Sequence, residues 1–128
     1  MKNQIDILRV FADEKGESHF GYFQIELNES GEIGFLSKLY EAKGIIFRKT
    51  PSNYNFDFHV APRKQYIINL DASVEVECSD GEKRVIEAGT VFFVEDTFGK
   101  GHRSKAINNK ERMSVFIPIE YSDWEYKV

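Results

Sequence analysis

Three histidines are the residues of this sequence best suited to chemistry: His19, His59 and His102. An imidazole titrates near neutral pH and can ligate a metal, so each could act as a general acid, a general base or a ligand. His59 and His102 lie within residues 56–106, which hold most of the strand-like alternation of the chain. For His19 the simplest interpretation is a partly buried imidazole that hydrogen-bonds to a neighbour. We therefore predict His59 and His102 as the catalytic pair.

Four further polar residues lie close to these histidines in the sequence: Arg63, Gln65, Asp96 and Arg103. A guanidinium can hold a carboxylate or phosphate through two parallel hydrogen bonds, so Arg63 and Arg103 predict an acidic ligand. Asp96 could orient an imidazole N–H, as carboxylates commonly do. The alternatives are a solvated surface for the arginines and an ordinary turn for Asp96. We predict these four residues as the substrate-binding set.

The first part of the motif region resembles the cupin family, whose first motif carries two histidines, a glutamate and then a glycine. His59 takes the place of the first histidine. Ala61 stands where the second histidine would be, Gln65 where the glutamate would be, and Ala72 where the glycine would be.

The second cupin motif carries one more histidine after a glycine-rich bend, and His102 follows Gly99 and Gly101 in that way. Glycines in such a bend let the backbone approach another part of the molecule closely. Thr97 stands where a proline is common, and the segment from Gly89 to His102 is longer than the usual spacing. The resemblance implies an interior site and a homodimer. It also implies isomerase, epimerase or oxygenase chemistry on a small polar or acidic metabolite, or binding of such a metabolite without turnover.

A cupin metal site usually has three histidines and a carboxylate, so the resemblance implies one divalent metal: zinc, nickel, iron or manganese. Here the ligands would be His59, His102 and Gln65, with His19 or Glu95 as a further donor. Gln is a weak ligand for these metals. The alternative is that the protein has no cofactor and that the histidines act as acid and base.

The elements that must position these residues are predicted to be short antiparallel strands. Asp80-Gly81 is a tight hairpin signal, and Val74, Val76 and Cys78 alternate with polar residues before it. The same alternation places His59 opposite Phe56 and Phe58 on its strand. About ten such strands with regular turn signals predict an all-β, antiparallel barrel of the cupin or jelly-roll type. The strands are expected at residues 4–11, 18–27, 44–49, 56–60, 65–70, 73–79, 82–86, 90–94, 102–107 and 113–119, with residues 33–40 as an irregular connection.

Length and composition limit the class of protein. The chain has 128 residues, a formal charge of −4 and one cysteine. We expect a single domain over residues 1–128, no nucleic-acid partner, no disulfide and a cytoplasmic location. No run approaches the ~20 apolar residues that a membrane helix needs. An apolar N-terminal strand suits exchange between the subunits of a homodimer, and the aromatic tail, residues 121–126, is expected to pack on the barrel or on the partner.

Overall fold

The computed structural model describes residues 3–119, and every regular element within them is a β-strand. The predicted all-β class is confirmed, with twelve strands instead of about ten. The strands are β1 (Gln4–Ala12), β2 (Ser18–Glu26), β3 (Glu29–Gly31), β4 (Gly34–Leu36), β5 (Ile46–Thr50), β6 (Asn55–His59), β7 (Gln65–Asn69), β8 (Val74–Cys78), β9 (Lys83–Ile86), β10 (Val91–Val94), β11 (His102–Ala106) and β12 (Arg112–Pro118).

Two sheets face one another in the manner of a jelly roll. The larger sheet has the strand order β2-β1-β10-β7-β12-β5, and the smaller has the order β6-β11-β8-β9. All pairings are antiparallel except that of β1 with β10. The described strands do not join into one closed hydrogen-bonded cylinder, so the cavity of the fold lies between two sheets.

The main apolar core fills the space between the sheets, because alternate residues of each strand point inward. Leu8, Val10, Phe92 and Val94 supply it from the larger sheet, and β8 supplies it from the smaller one. The predicted inward face of β8 is confirmed: Val74, Val76 and Cys78 are all buried. Burial raises the pKa of the Cys78 thiol to about 12, which makes it a packing residue and not a nucleophile.

A second apolar cluster covers the outer face of the larger sheet. Phe93 is fully buried there and contacts Phe23 edge-to-face and the ring of Tyr66. Tyr66 therefore points away from the interior, while Gln65, its neighbour on β7, points inward. Strand parity predicts this division, since adjacent residues cannot share a face.

The segment before β5 differs from the prediction in one respect. Residues 33–40 were expected to be irregular, but β3 and β4 form a two-stranded hairpin before the chain continues without regular structure to β5. β1 pairs with β2 on one side and β10 on the other, so it has no free edge within the chain. The aromatic tail lies outside the described residues. No helix among residues 3–119 is long and apolar enough to cross a membrane.

Candidate functional site

A cavity of about 320 Å³ lies between the two sheets. Such a volume is at the lower end of the range of small-molecule sites, ~300–1,000 Å³. Apolar side chains from both sheets form much of its wall, and polar side chains line it from β5, β6, β7, β11 and β12 and from the loops on either side of β6. These are Arg48, Tyr54, His59, Arg63, Gln65, Asn69, His102, Ser104 and Arg112.

His59 and His102 meet at one end of this cavity, as the sequence predicts. They are cross-strand partners on β6 and β11, and their ring centroids are 4.8 Å apart. The Nδ1 atom of His59 donates to the carbonyl oxygen of Asp57 at 2.8 Å. Burial lowers the pKa of His59 and so favours its neutral form. The neutral ring then presents Nε2 as an acceptor.

Asp96 holds the second imidazole. Its Oδ2 atom accepts a hydrogen bond from His102 Nδ1 at 2.6 Å, and the carboxyl group is fully buried. The other oxygen, Oδ1, has no hydrogen-bond partner within the described chain. Because a carboxylate only accepts, Nδ1 carries a proton, and Nε2 is the ring nitrogen left for another partner. Asp96 lies behind His102 and does not line the cavity, so its place fits the predicted orienting role.

The glycine bend before His102 lets β6 and β11 meet. Gly101 has φ +73° and lies directly against the backbone of His59, where a Cβ atom would collide with the His59 carbonyl. Gly99, at φ +84°, packs in the same way on Gly16. The predicted close backbone approach is confirmed at both glycines.

The prediction that the pleat separates His59 from Phe56 is wrong. The two rings stack with centroids 4.1 Å apart. Strand β6 has a register shift against β11, so that Phe56 pairs with Ser104 and His59 with His102. A bulge of this kind changes the parity between two residues of a strand and brings them to one face.

Gln65 and Arg63 also lie at this cavity. Gln65 is 2% exposed, and its Oε1 atom accepts a long, 3.5 Å hydrogen bond from Nη1 of the exposed Arg63. Both side chains border the space next to the imidazoles. Their proximity to the histidines agrees with the predicted site, while their roles remain predictions.

Three residues considered from the sequence lie elsewhere. Arg103 points away from the cavity, where it pairs with Glu77 at 3.4 Å and lies over the ring of Phe58. Adjacent residues of β11 point to opposite faces, so His102 and Arg103 cannot both face inward.

His19 and Glu95 also lie outside the cavity. His19 binds Asp13 at 2.7 Å and Asp80 at 3.0 Å, which confirms the interpretation of a partly buried, hydrogen-bonded imidazole. Glu95 binds Arg9 at 3.0 Å on the outer face of the larger sheet. Neither residue is placed to complete a metal site with His59 and His102.

Two arginines missed in the sequence face the cavity. Arg48 and Arg112 lie on the inward face of the neighbouring strands β5 and β12. The signal was a charged residue two positions along a strand from an apolar one, so that both share a face, as Arg48 does with Ile46. That signal is readable only once the inner face of the strand is known.

The Nε2 atoms of His59 and His102 are the ligand atoms that could bind a metal. An Nδ1–H bonded to a carboxylate or a carbonyl is the usual arrangement behind a metal-ligating histidine. Against this, no group of three or more His, Cys, Asp or Glu able to hold a metal is found in residues 3–119. Gln65 already accepts from Arg63, and nearby guanidinium groups repel a cation.

No family model and no curated protein sequence matches this chain. Among solved structures, the chain is similar to that of a candidate ethanolamine utilization protein Q from Salmonella typhimurium, at 12% identity and a TM-score of 0.47. The alignment covers 94% of this chain and 99% of that chain.

Proposed function

We propose that this protein binds a small polar metabolite in the cavity between its sheets and exchanges protons with it through His59 and His102. The observation that carries the proposal is the orientation of the two imidazoles. Both use Nδ1 for a fixed hydrogen bond and line the same cavity, which leaves both Nε2 atoms for a ligand.

Proton transfer next to a carbonyl is the reaction class that suits this pair. One Nε2 atom takes the proton from the carbon beside the carbonyl, and the electron pair of the broken C–H bond moves into an enolate. The imidazolium then returns the proton to a neighbouring atom of the ligand, which gives an isomer. Before it is returned, the proton on the imidazolium exchanges with solvent, so deuterium enters the ligand when the solvent is D₂O.

Binding without turnover is the alternative. Ala61 and Gln65 stand where a cupin metal site would have a histidine and a glutamate, which favours a site that has lost its metal. A metal-dependent form would use His59 and His102 as protein ligands with Gln65 as a neutral third donor. The bound metal would then supply polarisation of a substrate oxygen.

Deuterium incorporation from D₂O tests the proton-transfer proposal. A panel of small hydroxy-carbonyl and oxo-acid compounds is incubated with the parent protein, with His59→Ala and with His102→Ala, and deuterium is measured by mass spectrometry. We expect incorporation into at least one compound, with a loss of roughly 100-fold or more in each variant. Arg103→Gln, outside the cavity, should keep the parent rate.

Shifts of the histidine ring signals in NMR spectra identify the alternative. A compound that shifts the His59 and His102 signals without gaining deuterium would support binding without turnover. If no compound shifts these signals or gains deuterium, both forms of the proposal are wrong.

Metal content distinguishes the metal-dependent form from metal-free proton transfer and from binding without turnover. The metal content of the parent protein, purified without chelators, is measured beside that of the His59→Ala/His102→Ala double variant. Near one equivalent in the parent and none in the double variant would support a metal held by the imidazoles, whereas equal content in the two would contradict it.

A further inference from the structure

The guanidinium of Arg112 is buried without a hydrogen-bonding partner on two of its nitrogens. The residue is 6% exposed, and neither Nε nor Nη1 has a partner within residues 3–119. An unpaired buried charge is strongly unfavourable, so proteins normally pair it or keep it for a ligand. Burial lowers the pKa of Arg112, yet an arginine stays charged at neutral pH.

A second positive charge, that of Arg48, lies close to Arg112. Its guanidinium lies 5.4 Å from the centroid of the Tyr54 ring, and Arg48 lies 5.3 Å from the same ring. The two cations therefore share one aromatic side chain at the cavity wall, and the proximity of Arg48 also acts to lower the pKa of Arg112. None of the described cavity-lining residues is an aspartate or a glutamate.

Acidic groups near Arg112 do not neutralise it by direct contact. Asp71 is the acid whose charge acts on Arg112, but its Oδ1 atom accepts from the backbone N–H of Met113. Thr50, the cross-strand partner of Arg112, is 1% exposed, and its hydroxyl also lacks a partner among the described residues. Three donors on two facing residues are thus left for acceptors that residues 3–119 do not provide.

This cluster lies at a distance from the imidazoles that a small metabolite can bridge. The guanidinium of Arg112 lies 5.4 Å from the Tyr54 ring centroid, and the Tyr54 centroid lies 6.2 Å from that of Phe56. The Phe56 ring in turn stacks on the imidazole of His59 at 4.1 Å, so a short series of ring contacts joins the two groups. One molecule could hold an oxyanion at Arg112 and still reach His59 and His102.

We propose that Arg112, with Arg48 and Thr50 beside it, is an anion subsite that binds the carboxylate or phosphate group of the metabolite. Only the orientation of the rest of the ligand toward the histidines rests on the proposed function. The substrate class is therefore a small acid with its reacting carbon away from the acidic group. Buried guanidinium groups suit such oxyanions because they offer several charge-assisted donors in fixed geometry.

Thermal unfolding in the presence of simple anions tests the subsite. The midpoint is measured with inorganic phosphate, with succinate and with chloride at constant ionic strength. Arg112→Met removes the buried charge, and Arg103→Gln removes a charge of the same sign from the outer face. We expect phosphate or succinate to raise the midpoint of the parent and of Arg103→Gln by roughly 3 °C or more over chloride. Arg112→Met should show no rise.

The pattern of the rise identifies the ligand class. A response to phosphate alone indicates a phosphorylated ligand, and a response to succinate alone a carboxylic acid. A parent that neither anion stabilises, or an equal rise in Arg112→Met, would overturn the subsite. If Arg112→Met does not fold, Arg48→Met is judged by the same criterion.

The His59→Ala/His102→Ala double variant separates the two proposals. Retained stabilisation by the anion in this variant supports the subsite whatever the histidines do. Conversely, deuterium incorporation by a parent protein that neither anion stabilises would support the proposed function and contradict the subsite.

Discussion

At the scale of single residues, the site depends on which nitrogen of each imidazole is already used. His102 has a buried carboxylate on Nδ1, and His59 has a backbone carbonyl there. Each partner only accepts, so each fixes the same tautomer and leaves Nε2 available. Asp96 is thus a positioning residue in the proposed function, because it reaches the cavity only through His102.

We predict that Asp96→Asn changes the tautomer of His102 without unfolding the protein. The amide can donate to Nδ1, which would place the ring proton on Nε2. The ¹⁵N shifts of the imidazole should show this exchange, and deuterium incorporation into a substrate should fall by about 10- to 100-fold.

His59 provides the internal control, since its Nδ1 partner is a backbone carbonyl that the substitution leaves in place. Unchanged ¹⁵N shifts of His102 in the variant would show that Asp96 does not set the tautomer.

At the scale of elements, the contact between β6 and β11 depends on backbone proximity. Gly101 lies against the backbone at His59, and the register shift beside it turns Phe56 and His59 to the same face. A larger residue at position 101 would separate the strands that bring the imidazoles together.

We predict that Gly101→Ala destabilises the protein more than Gly81→Ala. Both glycines have positive φ, +73° and +96°, so both alanines are strained, at about 1–3 kcal/mol each. Only at Gly101 would the new Cβ also collide with backbone, whereas at Gly81 no atom lies within 4 Å. Urea unfolding measures both losses, and equal values would contradict the close approach.

At the scale of the whole molecule, polar contacts join the two sheets near the end that holds His102. Ser18 donates its hydroxyl to the carbonyl of Gly101 at 2.7 Å and exchanges hydrogen bonds with Ser79. His19 links Asp13 at the end of β1 to Asp80 in the hairpin between β8 and β9. These contacts tie the larger sheet to the smaller one.

We predict that His19 makes the protein more stable below neutral pH than above it. The hydrogen bond to Asp13, and then that to Asp80, raises the pKa of His19 above its ordinary value near 6.5. The stabilisation is fully present below the unfolded-state pKa and is lost as pH rises through the higher folded-state pKa. It should be modest, up to ~1 kcal/mol, because the side chains are partly exposed.

Urea unfolding of the parent and of His19→Gln at pH 6 and pH 9 measures this contribution. The difference in unfolding free energy between the two proteins should be larger at the lower pH. A difference that is the same at both pH values, or larger at pH 9, would show that the ionised pair does not contribute as predicted.

The sequence by itself determined most of the strands and singled out the two histidines that meet at the cavity. Val74, Val76 and Cys78 alternate so regularly that their inner face could be predicted, and Asp80-Gly81 fixed the hairpin beside them. Both signals are local. The glycines before His102 likewise indicated a close approach of backbone, although not what the backbone approaches.

The tertiary structure alone decided which arginines face the cavity. Arg103 was suggested by its position next to His102, but adjacent strand residues point to opposite sides. Arg48 and Arg112 are 64 residues apart in numbering, and they meet only because β5 pairs with β12 in one register. The bulge at β6 also depends on its partner strand. Local patterns specify alternation, whereas strand pairing and register decide which side of that alternation becomes the inside of the protein.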